Sequence, residues 1–423
     1  MGNNFYSSAP NSWSIKKFGD IAKITCGVAA TPEYVDESIG VPFFSASNVQ
    51  KGKLKLNKIK YIPVELHNKL TKNTKPEKGD VLMTRVGAGI GEAAVVTVDY
   101  DFSVYVSLTL IKCGKLLDSN FVQAVLNTDY YRYLALREQF AGGGVQNLNV
   151  QMVKDYIFPV PPLREQRKIA QILSTWDKAI ATTEKLIDAS KQQKKALMQQ
   201  LLTGKKRLID PETSKAFEGE WEEVKLGDVI SLGRGFAFKS SQYADSGTKV
   251  VRVTNIASSG HIDLSDCVYV PNEITNEYQK YALRNEDILL VMVGATAGKL
   301  GFVSENILPS LLNQNMWSLR TRNLDKLNQL FLRHIAERIV ARYVLTQQGS
   351  ARGFFTQSTF ELVNFQVPSV EEQQKIASVL TAADKEIELL NAKLAHLKQE
   401  KKALMQQLLT GKRRVRVAET EAA

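Results

Sequence analysis

Residues 160–208 align without a gap onto residues 367–415, at an offset of 207, and 26 of the 49 positions are identical. Within the repeat, KKALMQQLLTGK occurs twice unchanged, as Lys194 to Lys205 and as Lys401 to Lys412. A unit present twice must be placed twice in the fold, so it organises the rest of the chain. The preceding segments correspond more loosely: Trp13, Lys17, Gly19 and Asp20 match Trp221, Lys225, Gly227 and Asp228, and Asn48, Asp80, Val86, Gly87 and Gly91 match Asn255, Asp287, Val293, Gly294 and Gly298. The order is variable, constant, variable, constant. Two scaffolds that agree while their attached segments diverge suggest two related modules tuned to different targets.

Both constant copies read as helices. After Val160-Pro161-Pro162 and Val367-Pro368, acidic residues fall in the first turn (Glu165; Glu371 and Glu372), where they complement the helix dipole. In the second copy Ile376, Leu380, Ala383, Ile387, Leu390, Leu394, Leu397, Lys401, Leu404 and Leu408 alternate steps of four and three, a coiled-coil seam interrupted only by Lys401. The first copy gives Ile169, Leu173, Trp176, Ile180, Thr183, Ile187, Ser190, Lys194, Leu197 and Leu201, a weaker seam at Thr183 and Ser190. Gly204 and Gly411 then stop the helices, followed by basic residues. A helix of about 55 Å cannot cover its own apolar stripe. The stripes either pack on the neighbouring domains or, as the regular second seam favours, pair with each other. Topology then makes the pair antiparallel, with an approximate two-fold and the variable domains at opposite ends. Sites about 34 Å apart, one turn of DNA, come within reach of such a frame.

The expected architecture is α+β. Two globular mixed α/β domains, residues 1–160 and 209–367, are separated by helices at 161–208 and 368–415 that pair as an antiparallel coiled coil, with a flexible tail at 416–423. In the first variable segment VPFFSASNV, VLMTRVG, AAVVTV and SVYVSLTLIKC read as strands and Phe121 to Phe140 as helix. In the second, TKVVRVTNI, DILLVMVG and KLGFVS read as strands and Leu324 to Thr346 as helix.

Of the 423 residues, 44% are apolar and 23% charged, a globular profile, and with no run of 18 apolar residues and no apolar leader after Met1 a cytoplasmic protein is expected. Cys26, Cys113 and Cys267 lie far apart with no histidine cluster nearby, which argues against a disulfide framework or a zinc site. His67, His261, His334 and His396 are isolated and read as surface or core residues. The net charge of +11 favours a polyanionic partner but is unevenly spread: +4 over residues 1–160, +6 over 161–217, −1 over 218–367 and +2 over 368–423. Many basic proteins bind no nucleic acid, so local patches must carry the argument.

The most suggestive patch is Lys51, Lys53, Lys55, Lys58 and Lys60. Alternation in Lys53-Leu54-Lys55-Leu56 puts both lysines on one strand face, where phosphates can line up, and both leucines on the core side; an ordinary solvated strand gives the same pattern. In the second segment Arg234, Lys239 and Arg252 accompany Phe236, Phe238 and Tyr243 around a mobile Gly-Arg-Gly turn, an arrangement that suits guanine edges, although the phenylalanines fit a core equally well. Arg85, before a glycine turn, is a weaker candidate. Gly87-Ala88-Gly89-Ile90-Gly91 lacks the Gly-Lys-Ser/Thr of a phosphate loop and the GxGxxG spacing, and reads as a turn between strands.

PLREQRKIAQIL with its twin PSVEEQQKIASVL, the two KKALMQQLLTGK tails, the WxxxKxGD openings at Trp13 and Trp221, GFAFKSSQY at 235–243 and GDVLMTRVGAGIGEAAVV together resemble the specificity subunits of type I restriction-modification systems, over nearly the whole chain. The resemblance implies a non-catalytic subunit whose variable segments are target recognition domains, each for one half of an asymmetric split DNA site. It implies that the paired helices set the unread gap and dock two adenine methyltransferase subunits, that a nuclease-translocase subunit completes the assembly, and that S-adenosylmethionine, ATP and magnesium are held by those partners. Gln314, in Leu312-Asn313-Gln314-Asn315, resembles a short polar element of such domains, from which Ser107-Leu108-Thr109 departs. In keeping with a non-catalytic role, the sequence has no N/D-P-P-Y/F motif, no GxxxxGK[ST] and no persuasive PD with E/DxK constellation. The competing readings are a recognition subunit of a related or stand-alone system that lends altered specificity, and a coiled-coil scaffold without DNA function or a cryptic enzyme.

Overall fold

A computed structural model describes residues 6–7, 9–27, 32–138, 147–210, 212–346 and 355–417. The chain divides into two units, Met1–Glu184 with Ala392–Ala423, and Lys185–Asn391. Both divisions fall inside the long helices, Leu163–Leu201 and Val370–Leu408, so each unit takes one variable segment and one half of each helix. The 416–423 tail lies outside the described residues apart from Arg416 and Val417.

The first unit is built on a four-stranded sheet in the order Ala22–Cys26, Leu108–Cys113, Val81–Thr84, Ala93–Val95, all antiparallel. A second sheet places Gly40–Phe44 between Lys60–Pro63, antiparallel, and Ser103–Val104, parallel. Ser14–Lys17 pairs with Ile157–Val160 at the entrance to the first long helix. Each apolar run read from the sequence yields a strand, shorter than the run because backbone turns interrupt it. Phe121 to Phe140, read as one helix, is two: Ser119–Leu126 and Asp129–Glu138. The break falls at Asn127, whose side chain accepts from Ala93 N at 3.0 Å and donates to Ala93 O at 2.7 Å, fastening the helix end to the sheet. Phe140 lies outside the described residues.

The second unit repeats these three sheets. Its four-stranded sheet runs Ile230–Arg234, Met316–Thr321, Ile288–Val291, Leu300–Phe302. Thr248–Val251 lies between antiparallel Val268–Val270 and parallel Ser310–Leu312, and Glu222–Lys225 pairs with Asn364–Val367. Its main helix is continuous, Gln329–Thr346, and begins five residues after Leu324 because Asn328 caps it, accepting from Phe331 N at 3.0 Å.

The residues matched between the variable segments turn out to be structural. Asn48 accepts from Ser45 N at 3.0 Å and donates to Lys55 O at 3.0 Å; Asn255 accepts from Arg252 N at 2.9 Å and donates to Asp263 O at 3.0 Å. Asp80 and Asp287 cap turns and meet Lys112 and Arg320. Burial raises the Asp80 pKa even against the Lys112 ammonium. Gly87, Gly91, Gly294 and Gly298 all have φ between +82° and +91°, which only glycine adopts freely, and they turn the chain between two sheet strands.

In each unit the start of one long helix is tied to its globular domain and to the end of the other long helix. In the first unit the buried Gln166 amide donates to Leu116 O and Pro161 O, both at 2.8 Å, and accepts from Asp118 N at 2.9 Å. Beside it Glu165, also buried, takes a bidentate pair from Arg414 (2.6 and 2.8 Å) and the Trp13 indole N–H at 3.1 Å. The second unit repeats this 207 residues later: Gln373 holds Lys326 O, Pro368 O and Asn328 N, and Glu372 takes Arg207 at 2.8 and 2.6 Å. Further along, Lys401–Asp177 at 2.6 Å and Lys194–Asp384 at 2.5 Å are the same contact once in each unit. Partner numbers fall on one helix half as they rise on the other, so the halves run antiparallel within each unit. Their apolar faces join the domain cores: Ile169 and Leu173 with Leu404 and Leu408 in the first, Leu197 and Leu201 with Ile376 and Leu380 in the second. Gly204 (φ +69°) and Gly411 (φ +74°) close the helix ends.

A buried carboxylate stripped of its arginine is costly. Arg207→Ala should therefore destabilise the protein by about 3 kcal/mol, and adding Glu372→Gln should recover part of the loss, read as urea unfolding midpoints. Equal midpoints for Arg207→Ala and the parent would show that the clamp does not hold the unit together.

Candidate nucleic-acid interface

In the first unit the basic patch is a hairpin. Val49–Gln50 and Lys53–Leu54 pair around Lys51 (φ +51°) and Gly52 (φ +70°), the left-handed pair that a tight two-residue turn requires. Its tip is fastened by Lys51 N donating to Glu92 Oε2 at 2.9 Å and by Gln123 Nε2 donating to Gly52 O at 2.6 Å. Lys51, Lys53, Lys55 and Lys58 are all exposed, and none forms an ion pair among the described residues. The expected alternation stops early, because the strand ends at Leu54, where Asn48 captures Lys55 on both sides of its peptide; Leu56 is 45% exposed rather than in the core. Lys60 lies over the Tyr34 ring, 4.2 Å from its centroid.

Arg85 is a correction: it is 7% exposed, and its Nε donates to Asn147 Oδ1 at 3.1 Å and Leu148 O at 3.0 Å. It ties the glycine turn to the segment entering the last helix of the domain. A single arginine in a sequence carries no sign of whether its surroundings will bury it.

In the second unit Arg234 and Lys239 are exposed, and Arg234 Nη2 donates to Gln357 Oε1 at 2.8 Å. Arg252 is half-buried and turned to Asp266, 2.8 Å from its carbonyl. The Gly-Arg-Gly segment is not a mobile turn: Gly233 and Arg234 end a sheet strand in register with Ser318 and Trp317. Phe238 is buried, and Phe236 and Tyr243 are half-buried. The sequence reading missed Tyr278 and Tyr281, whose rings lie 4.8 and 5.1 Å from that of Phe236 and complete a four-ring cluster with Phe238. Their spacing of three within one helical turn was the available signal.

The pairing candidates of the long helices all lie on covered faces. Ile169, Leu173, Ile187, Leu201, Ile376, Leu380 and Leu408 are buried, and Trp176, Ile180, Leu197, Ile387, Leu390, Leu394, Leu397 and Leu404 are half-buried. Thr183, the weak point of the first seam, is 4% exposed and returns its hydroxyl to Ala179 O at 2.9 Å.

Among the described residues no group of three or more His, Cys, Asp or Glu side chains is placed to hold a metal ion. Burial lowers the His334 pKa to about 4, against the nearby Asp384 carboxylate, so its imidazole is neutral at pH 7. Burial likewise pushes the Cys113 thiol up to about 11, which makes it a poor nucleophile. No helix among the described residues is long and apolar enough to cross a membrane.

The duplication of frame, turn and clamp points to a protein that presents two homologous surfaces. The family model for the type I restriction modification DNA specificity domain matches twice, over residues 10–191 and 218–399. The chain belongs to this DNA specificity family. It is similar to the type I restriction enzyme MjaVIII specificity subunit of Methanocaldococcus jannaschii, with 26% identity over 96% of this chain and 94% of the relative. It is also similar to the EcoKI specificity subunit of Escherichia coli, with 23% identity over 73% of this chain and 66% of that one. The crystal structure of an S subunit from M. genitalium shares the fold, with a TM-score of 0.60 at 16% identity, covering 94% of this chain and 96% of that chain. The relatives are thus specificity subunits, the recognition component of such enzymes and not the catalytic one.

If the hairpin lysines contact phosphate, Lys53→Ala with Lys55→Ala should weaken binding to every DNA sequence alike and reduce the slope of log K against log salt by up to about 2. Fluorescence anisotropy over a salt series reads this directly; loss confined to one sequence would mean that the lysines read bases.

Proposed function

We propose that this chain is the subunit through which a type I restriction-modification enzyme reads an asymmetric two-part DNA site. The variable segment within 1–160 reads one half and that within 209–367 the other. The long helices pair as an antiparallel coiled coil that fixes the unread gap and docks two adenine methyltransferase subunits; a nuclease-translocase subunit joins through them. Methylation and restriction then share one recognition event, and the chain itself performs neither reaction. S-adenosylmethionine, ATP and magnesium belong to the partners.

The observation that carries this reading is the exact recurrence, 207 residues apart, of the Glu–Arg clamp and the Gln anchor at the start of each helix. A frame in which the same clamp and the same anchor recur presents each variable domain in a similar way, and the domains differ in what they present. The 39-residue helices, about 58 Å each, are long enough to separate two readers by one or more turns of DNA. A mixed charge balance suits the role, because direct readout uses local donors and acceptors while a few lysines supply the phosphate contacts.

The deciding experiment co-expresses the chain with its methyltransferase and sequences methylated adenines. Exchange of residues 1–160 for those of a homologue should change one half of the methylated site and leave the other intact; a change in both halves, or methylation without sequence preference, would sink the modular reading. Inserting one heptad at matched positions in both helices should lengthen the gap by about 10 Å, some three base pairs. An unchanged gap would remove the ruler from the account.

A further inference from the structure

In each unit one turn is held by the same three backbone hydrogen bonds as its counterpart and carries a different chemistry. In the second unit the turn follows the parallel strand Ser310–Leu312: Asn313 N donates to Val251 O at 3.0 Å, Met292 N to Asn315 O at 2.9 Å and Gly235 N to Met316 O at 3.3 Å. In the first, Tyr105 N donates to Phe44 O at 2.8 Å, Arg85 N to Ser107 O at 3.0 Å and Gly27 N to Leu108 O at 3.0 Å. These bonds match residue for residue, so Tyr105-Val106-Ser107 and Asn313-Gln314-Asn315 fill the same three positions. The counterpart of Gln314 is therefore Val106, not the Ser107-Leu108-Thr109 stretch to which sequence alone assigns it.

Both turns are pinned from the same side. A Cβ at Gly27 would overlap the Tyr105 carbonyl, and one at Gly235 would overlap the Asn313 carbonyl, so each strand can reach its turn only because a glycine follows it. The side chains then diverge completely. Gln314 and Asn315 are exposed, and neither side-chain amide has a hydrogen-bond partner among the described residues. Asn315 sits at φ +72°, and Arg234, also exposed, ends the strand that precedes Gly235. In the first unit the turn offers no free amide: Tyr105 packs edge-on against Phe43 at 5.6 Å, Val106 is half-buried, and the Ser107 hydroxyl accepts from Ala46 N at 2.9 Å.

We propose that this pinned turn is the base-reading element of each domain, and that in the second domain the Gln314 amide reads an adenine. Asparagine and glutamine amides match the N6 donor and N7 acceptor of adenine in the major groove, whereas an apolar residue in that place meets a thymine methyl group. Gln314 supplies the first chemistry and Val106 the second. A rigid turn suits the task, because the two bonds to one base edge form together only if the amide is already aimed. Arg234, next to the turn, is placed to take a flanking phosphate. The assignment rests on the DNA-reading function proposed above.

The test measures methylation by the complete complex on a library of sites randomised one base pair at a time. Gln314→Ala should lower discrimination at one base pair, in one half of the site, by roughly 5- to 100-fold, with the other half unchanged. Gln314→Glu should prefer cytosine at that position, because a carboxylate accepts from the cytosine amino group. That gain of a new preference separates reading from any loss of fold. Preferences identical to the parent at every base pair, or an equal loss at all of them, would overturn the turn's role. A parent complex without site preference would instead overturn the DNA-reading function itself.

Discussion

The clamp of Glu165 by Arg414, and of Glu372 by Arg207, is the contact on which both units depend. Each carboxylate is buried, so it needs a partner of opposite charge and matched geometry, and the arginine that supplies it comes from just beyond the end of the other helix. The glutamine next to each carboxylate carries the constraint into the recognition domain by occupying two carbonyls and one N–H. A buried amide with every bond filled tolerates one arrangement and no neighbouring one. Domain, helix start and helix end are thereby fixed as one body within each unit, and variation is left to the turns between the strands.

That division of labour explains why a slightly acidic second domain is compatible with DNA recognition. The residues shared between the domains, such as Asn48 with Asn255 and Asp80 with Asp287, are occupied in shaping turns. Those that differ include the turn residues, where Gln314 and Asn315 are exposed while Tyr105 and Val106 are half-buried and Ser107 is buried. The hairpin lysines of the first domain have no counterpart in number in the second, where Arg234 and Lys239 are the exposed cations among the candidates.

The long helices and most strands were legible because their signal is local: a heptad seam, an apolar run, a proline before and a glycine after. What escaped depended on contacts across the chain. Arg85 looks like any surface arginine until Leu148, 63 residues away, takes its Nε. The single helix expected from Phe121 breaks because Asn127 prefers a strand 34 residues back. Arg207 and Arg414 stood in the repeat as basic residues past a helix end, which suits the dipole, but their partners are 165 and 249 residues away. The same offset of 207 relates both the glutamates and the arginines, so the reciprocal pairing was written in the repeat for a reader who asked what each copy lacked. The register of the two turns was obscured for a different reason: the loops around them differ in length, and only backbone bonds restore the correspondence.

The division of the chain has a consequence for the order in which the protein can be made. The second unit is one continuous stretch, Lys185–Asn391, whereas the first joins Met1–Glu184 to residues beyond Ala392. During synthesis the first recognition domain emerges early, yet Glu165 must wait for Arg414 and Ile169 for Leu404, both of which follow the whole of the second unit. The unit begun first is therefore completed last. Through that interval Ile169 and Leu173 have only the first domain's core to pack against, without Leu404 and Leu408.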